Sequence, residues 1–313
     1  CSGSGERCWP LRLMSISAET HAGPGRAIAV LLVGVLAMAW ASILIRWAAA
    51  PPLVVGAGRL TAATLILAPL ALPRAAREWR GLDQREWWLL ALAGVALGLH
   101  FATWIASLSL TSVASSVALV STTPLFVAVA SPLFLGERVS WPLALAAALA
   151  MVGSIVIGLA DARSAGGALS GDLLAVAGAL MAAVYMLVGR RLRRRLSLLA
   201  YIWPMYGLAA LVLLAGCFIA RQPLVGYSAR TYGLLVLLAL GPQVIGHSSA
   251  NWALRYLSPT FVTVAILGEP LGATVLALVL LGERPPAALI LGGLVLLLGI
   301  GLAVRSERQE RRT

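Results

Sequence analysis

Long apolar stretches separated by short polar ones set the pattern of the chain. Ten of them, at roughly 27–48, 52–72, 87–108, 112–135, 141–160, 172–189, 198–220, 231–250, 259–281 and 286–304, have membrane-spanning length. A helix needs about 20 apolar residues to cross a hydrocarbon core of ~30 Å, so each stretch predicts one transmembrane helix. The longest polar connections, 73–86, 161–171, 190–197 and 221–230, are too short to form a separate soluble domain. The expected fold class is an all-α polytopic membrane protein of ten transmembrane helices. Residues 1–26 read as a polar leader expected to be disordered, and residues 305–313 as a hydrophilic tail expected to fray. The chain does not begin with Met; Met14 is an alternative start, which leaves open whether residues 1–13 belong to the native protein. No positive segment, short apolar core and small-residue cleavage site follow one another at the N-terminus, so the first apolar run is expected to stay as a helix.

Composition agrees with a bilayer as solvent. Hydrophobic residues make up 60% of the chain and charged residues 12%, about half the charged share of a soluble domain. The net charge of +12 comes entirely from arginine, since the chain contains no lysine. These arginines cluster between apolar runs without interleaved aromatics, which argues against nucleic acid and for membrane orientation. With a cytoplasmic N-terminus, 18 of the 24 basic residues fall on the cytoplasmic side and five outside, with Arg59 inside the second helix. That split predicts both termini in the cytoplasm. Cys1, Cys8 and Cys217 have no metal-ligand spacing, and neither a metal nor a cofactor is expected.

The chain repeats itself. Shifted by 146 residues, Pro124–Gly153 aligns without gaps on Pro270–Gly299, and Pro124, Leu125, Val129, Leu135, Gly136, Glu137, Arg138, Leu143, Leu145 and Gly153 each find an identical partner. Unrelated Leu-rich helices would match at roughly three such positions. A first five-helix unit at 27–160 and a second at 172–304, joined by 161–171, follow from this repeat. Five is odd, so the second unit must enter the membrane upside down. Inverted repeats of this kind occur in secondary transporters, with the substrate site at the repeat interface.

The pattern P-L-F…L-F-L-G-E-R-V-S at 124–140 and its repeat E-P-L…L-V-L-L-G-E-R-P-P at 269–286 resemble the EamA family of the drug/metabolite transporter superfamily. The segment G-R-L-T-A-A-T-L-I-L around Arg59 is similar to that family's second helix. The resemblance covers about 27–304 and implies a ten-helix carrier, with bacterial inner-membrane exporters of amino acids and other metabolites among its members. It does not name the cargo. The second Gly-Glu-Arg departs from the family pattern in being followed by Pro-Pro, which affects the turn and not the assignment.

Ionisable groups at membrane depth are costly and therefore candidates for function. Glu269 lies about 11 residues into the ninth helix, ~16 Å from its start at 1.5 Å per residue. Pro270 removes a helical hydrogen bond beside it. Such a carboxyl can bind a proton or a substrate ammonium, or it can simply patch the kink. Its repeat mate Thr123, with Ser121 and the kink residue Pro124, is expected to line the same cavity, unless these hydroxyls bond back to their own helix. Arg59 can bind a substrate carboxylate, pair with Glu269 in one state, or snorkel to the outer interface. His100 and His247, at corresponding places in helices 3 and 8, can relay protons or bridge helices. Trp40 and Trp104, with Tyr185, Trp203 and Trp252, can form an aromatic wall or belong to interfacial belts. Gly136, Glu137 and Arg138, repeated as Gly282, Glu283 and Arg284, are expected to be structural, as caps, ion pairs and contacts between halves.

The expected function is a secondary transporter, reading best as an exporter of small metabolites such as amino acids by alternating access, with protons as a candidate coupling ion. An importer of the same fold remains open. Two other classes are alternatives: an embedded enzyme, against which the three scattered aspartates Asp83, Asp161 and Asp172 speak, and a non-transporting scaffold or sensor, against which the short loops speak. No nucleotide-cradling motif is present to suggest ATP drive. The expected partners are membrane lipid and a small-molecule substrate, in a monomer or homodimer.

Overall fold

The computed structural model describes residues 23–111, 116, 119–160, 169–282 and 287–310. Its helices are α1 (Pro24–Ala48), α2 (Pro52–Arg80), α3 (Gln84–Leu110), α4 (Thr123–Leu135), α5 (Trp141–Ala160), α6 (Leu169–Arg193), α7 (Leu198–Ile219), α8 (Ala229–Ala253), α9 in two pieces (Pro259–Ile266 and Glu269–Leu281) and α10 (Ala287–Glu310). Eight spans are long and apolar enough to cross a membrane, and two shorter apolar helices, Thr123–Leu135 and Trp141–Val156, stand in the remaining places. The chain is thus an all-α membrane protein.

Four elements differ from the sequence expectation. Helix α2 runs on to Arg80 through Pro69 and Pro73, because Ala71 and Ala75 keep a buried stripe while Arg74, Arg77 and Arg80 face outward. Helix α10 continues past 304 to Glu310, held by Glu307, which bonds the backbone N–H and hydroxyl of Ser258 at the start of α9. Helices α8 and α9 are not uniform: residues Ala239–His247 form a π-helical stretch inside α8, and α9 breaks at Leu267–Gly268.

Local chemistry sets the helix ends. Ser197, Ser228 and Ser258 cap α7, α8 and α9 by accepting from Ala200, Thr231 and Phe261 N–H groups, which satisfies donors the first turn would leave unpaired. Asp83 and Glu86 form a reciprocal capping box at the start of α3. Gly136 and Gly282, mates in the repeat, both adopt left-handed backbone, with φ of 68° and 69°. That conformation is cheap only for glycine, so the shared Gly of the Gly-Glu-Arg pair ends a helix in each half.

The main helix packings recur under exchange of the two halves. Helix α2 packs on its mate α7, α5 on α10, and α4 on α9; α1 packs on α8 as α6 packs on α3. The mates run antiparallel. Gly56 of α2 faces Leu213 of α7, while Thr64, further along α2, faces Gly207, earlier in α7. The α5–α10 seam is the tightest case. A β-carbon on Gly153 would lie 2.4 Å from the Leu296 nitrogen and 2.6 Å from the Gly292 carbonyl oxygen. One on Gly299 would lie 2.5 Å from the Ala150 nitrogen and 2.9 Å from the Ala146 carbonyl oxygen. Subtracting 146 from Gly292 and Leu296 gives Ala146 and Ala150, so one contact is built twice. Small residues at such crossings let helix backbones meet, the chief source of helix association where lipid is as apolar as the side chains.

The arginine-rich end of α6 fastens one end of the bundle. Arg190 pairs with Glu137 at 2.7 Å and donates to the Leu254 carbonyl at 2.7 Å. Arg194 also reaches Glu137, and Arg195 reaches Glu86 and the Gly81 carbonyl. Arg193 is fully buried, donating to the carbonyls of Asn251 and Leu196. Glu78 accepts from the Ser197 N–H at 2.7 Å. Helix α6 is thereby tied to α2, α3, the α4–α5 connection and α8.

Two substitutions test this architecture. Gly153→Ala and Gly299→Ala should each lower the thermal unfolding temperature of the purified protein by a similar amount, several degrees; unchanged midpoints would show that the seam relaxes freely. Arg193→Met keeps the apolar stem but orphans two carbonyls, and is expected to cost roughly 2–4 kcal/mol, read as a large fall in folded yield and melting temperature.

Candidate functional site

Two irregular backbone segments border one buried cluster of polar and aromatic side chains, the chamber. In α8, Pro242 lacks an N–H and lies within the π-helical stretch, a form that tends to occur at functional sites. The Gln243 carbonyl receives the Tyr206 hydroxyl at 3.4 Å and the Ser248 hydroxyl at 3.3 Å, and the two hydroxyls lie 3.1 Å apart. In α9 the interruption comes at Leu267–Gly268, ahead of the Pro270 kink expected from sequence. Pro270 instead occupies the first turn of the second piece, where its missing N–H costs nothing. Glu269 therefore stands at the head of a helix, where the helix dipole favours negative charge.

Arg59 of α2 enters the chamber from the opposite wall. It is 4% exposed and does not snorkel. Its Nε and Nη2 both donate to Gln243 Oε1, at 3.1 and 2.6 Å, and its guanidinium carbon lies 4.6 Å from the centre of the Phe101 ring, a cation–π arrangement. Glu269 lies within Coulombic range of Arg59. Its carboxylate accepts no hydrogen bond from any described residue.

Aromatic rings complete the wall. His100 donates from Nδ1–H to the Gly178 carbonyl at 2.9 Å, and its ring lies parallel to Trp104 at 6.2 Å and tilted to Tyr185 at 6.3 Å. Phe101 meets His247 edge-on at 5.7 Å. The Nε1 of Trp104, Nδ1 of His247 and Nε2 of Gln243 are buried with no hydrogen-bond partner among the described residues. Such orphaned polar atoms are costly.

The remaining sequence candidates fall elsewhere. Trp40 stands exposed on α1 and makes no ring contact with the chamber aromatics among the described residues. Trp203 stacks on Trp79 and bonds the Thr64 carbonyl, and Trp252 packs on Tyr256. Ser121 bonds Ser154 at 2.6 Å, and Thr123 bonds the Val120 carbonyl of its own helix at 2.8 Å. Both hydroxyls thus have hydrogen-bond partners within the protein. Pro124 is buried in the first turn of α4, and Arg138 is exposed. Glu283 and Arg284 lie outside the described residues, as does Asp161.

Gln243, Tyr206, Ser248 and Phe101 were not singled out from sequence. Gln243 carried a readable signal: an uncharged polar side chain directly after a proline in mid-span. Tyr206 and Ser248 carried none, because single Tyr and Ser residues are common in apolar helices.

Comparison with known proteins agrees with this architecture. A protein of known crystal structure shares the fold with a TM-score of 0.78, at 21% identity over 91% of this chain and 98% of its own. A probable terminal-alkyne amino-acid exporter from Streptantibioticus cattleyicolor is 28% identical over 295 residues, covering 87% of this chain and 95% of that protein. The EamA-like transporter family matches twice, over residues 25–159 and 169–305, one match for each half of the pseudo-symmetric bundle. Two matched halves, antiparallel mates and a polar chamber between them lead to one conclusion: the chain belongs to the EamA-like transporter family.

Proposed function

We propose that this transporter is a secondary carrier that exports small amino acids by alternating access, from the cytoplasm across a bacterial inner membrane. The observation that carries the reading is the chamber itself. A guanidinium and a carboxylate of opposite charge face one space without bonding each other, which suits the carboxylate and ammonium of a zwitterion. The aromatic wall of Phe101, Trp104 and Tyr185 accommodates an apolar side chain. The relative's amino-acid cargo supports the same class.

The five-helix units 27–160 and 172–304 serve as the two rocking bodies, with the 161–171 connection between them. Their pseudo-symmetry supplies two packings of comparable energy, one open to each side. The arginine excess supports a cytoplasmic α6 end and cytoplasmic termini; on that reading the ion pairs of Glu137 and Glu86 hold the cytoplasmic end together in this conformation. Glu269 is the group suited to carry a proton in exchange for substrate, since it meets the chamber without a fixed partner.

Flux into proteoliposomes across an amino-acid panel, with and without a pH gradient, tests the activity. Wild type should move apolar amino acids faster under the gradient, and Glu269→Gln should abolish that acceleration; gradient-driven flux equal to wild type in the variant refutes the proton site. For sidedness, Val225→Cys in a background free of other cysteines should react with an impermeant maleimide on intact cells, and Arg80→Cys should not. The reverse labelling overturns the export orientation.

A further inference from the structure

We infer that Gln243 is a specificity-determining residue that, together with Arg59, forms the carboxylate subsite of the chamber. This deepens the amino-acid reading above and rests on it for the identity of the cargo, though not for the chemistry of the subsite.

The orientation of the Gln243 amide follows from its partner. Two N–H groups of Arg59 converge on one terminal atom of Gln243, at 3.1 and 2.6 Å. Only an oxygen can accept both, because a nitrogen there would set donor against donor. The amide nitrogen must then point the other way. It is buried, the side chain being 0% exposed, and it finds no partner among the described residues. Amide hydrogens so placed cost free energy unless something accepts them.

Arg59 retains donors of its own. Gln243 takes Nε and Nη2, while Nη1 makes no hydrogen bond with a described residue. The bonded pair thus keeps both guanidinium and amide N–H groups without a partner among the described residues, beside the Phe101 ring that braces the cation. A carboxylate has two acceptor oxygens and a charge opposite to Arg59. It can accept from the guanidinium with one oxygen and from Gln243 Nε2 with the other. The amide then does two things at once: its oxygen holds Arg59 in position, and its nitrogen reads the ligand. Because Gln243 lies on the π-helical stretch, the subsite is carried by an irregular backbone segment of α8.

The test compares three ligands of one shape on the full-length protein in nanodiscs: leucine, its decarboxylated amine 3-methylbutylamine, and its deaminated acid 4-methylpentanoate. Gln243→Glu keeps the bond to Arg59 but replaces the amide donor by a charged acceptor, and Gln243→Met removes both functions at similar volume. Both variants should weaken leucine and 4-methylpentanoate by at least about tenfold, while the amine binds as well as to wild type or better. A merely structural role for Gln243 would move all three ligands together, and an unchanged acid-to-amine ratio in the variants overturns the proposal. If Gln243→Glu does not fold, Gln243→Met reads the same ratio. Loss of acid binding in the variants without any leucine flux in wild type sinks the amino-acid reading and leaves the subsite standing. Leucine flux with an unchanged ratio does the reverse, and a wild type that binds neither acid sinks both.

Discussion

Holding one guanidinium inside an apolar bundle is the constraint around which the rest of this molecule is arranged. An unshielded charge in hydrocarbon is among the most expensive features a membrane protein can carry. Arg59 is made tolerable by three elements at once: the Gln243 amide from α8, the Phe101 face from α3 and the charge of Glu269 from α9. None of these neighbours is local in sequence. The fold must bring four helices from both halves together before Arg59 has a tolerable environment, so the site and the packing of the halves are one problem.

The backbone irregularities answer the same demand. A regular helix has no spare hydrogen-bonding groups in its middle, and in a membrane none can be left to water. In the π-helical stretch of α8 the hydroxyls of Tyr206 and Ser248 take up the Gln243 carbonyl, and α9 is interrupted at Leu267–Gly268. Away from the chamber the helices are regular and close-packed through glycine and alanine. Rigidity and irregularity are thus separated in space, the former along the α5–α10 seam and the latter around Arg59.

Much of the architecture was legible in the sequence because the bilayer imposes a coarse and reliable rule of length and apolarity. Spans and the duplication could be read from spacing, and Gly136 with Gly282 turned out to share a left-handed cap, the physical reason for their identity. The charged members of the site were legible for the same reason: Arg59 and Glu269 stand out against an apolar background. The fine structure of the site was not. Whether Thr123 faced a cavity or its own backbone depended on a rotamer, and Trp40 could not be oriented because α1 is apolar on all sides. Gln243 gains its role only from Arg59, 184 positions away in the chain.

The likeness of the halves is close but incomplete, and one departure is instructive. Position 100 carries a histidine that bridges to the Gly178 carbonyl on α6 at 2.9 Å. Its counterpart, position 246, is glycine, and the Gly34 carbonyl on α1 lies 3.1 Å from where a β-carbon there would sit. One seam thus carries an imidazole-to-carbonyl hydrogen bond where the other meets through a glycine. A perfectly twinned molecule would idle equally between its two faces. Each unlike pair of this kind lifts that degeneracy, so the resting bias of such a molecule resides in its asymmetries.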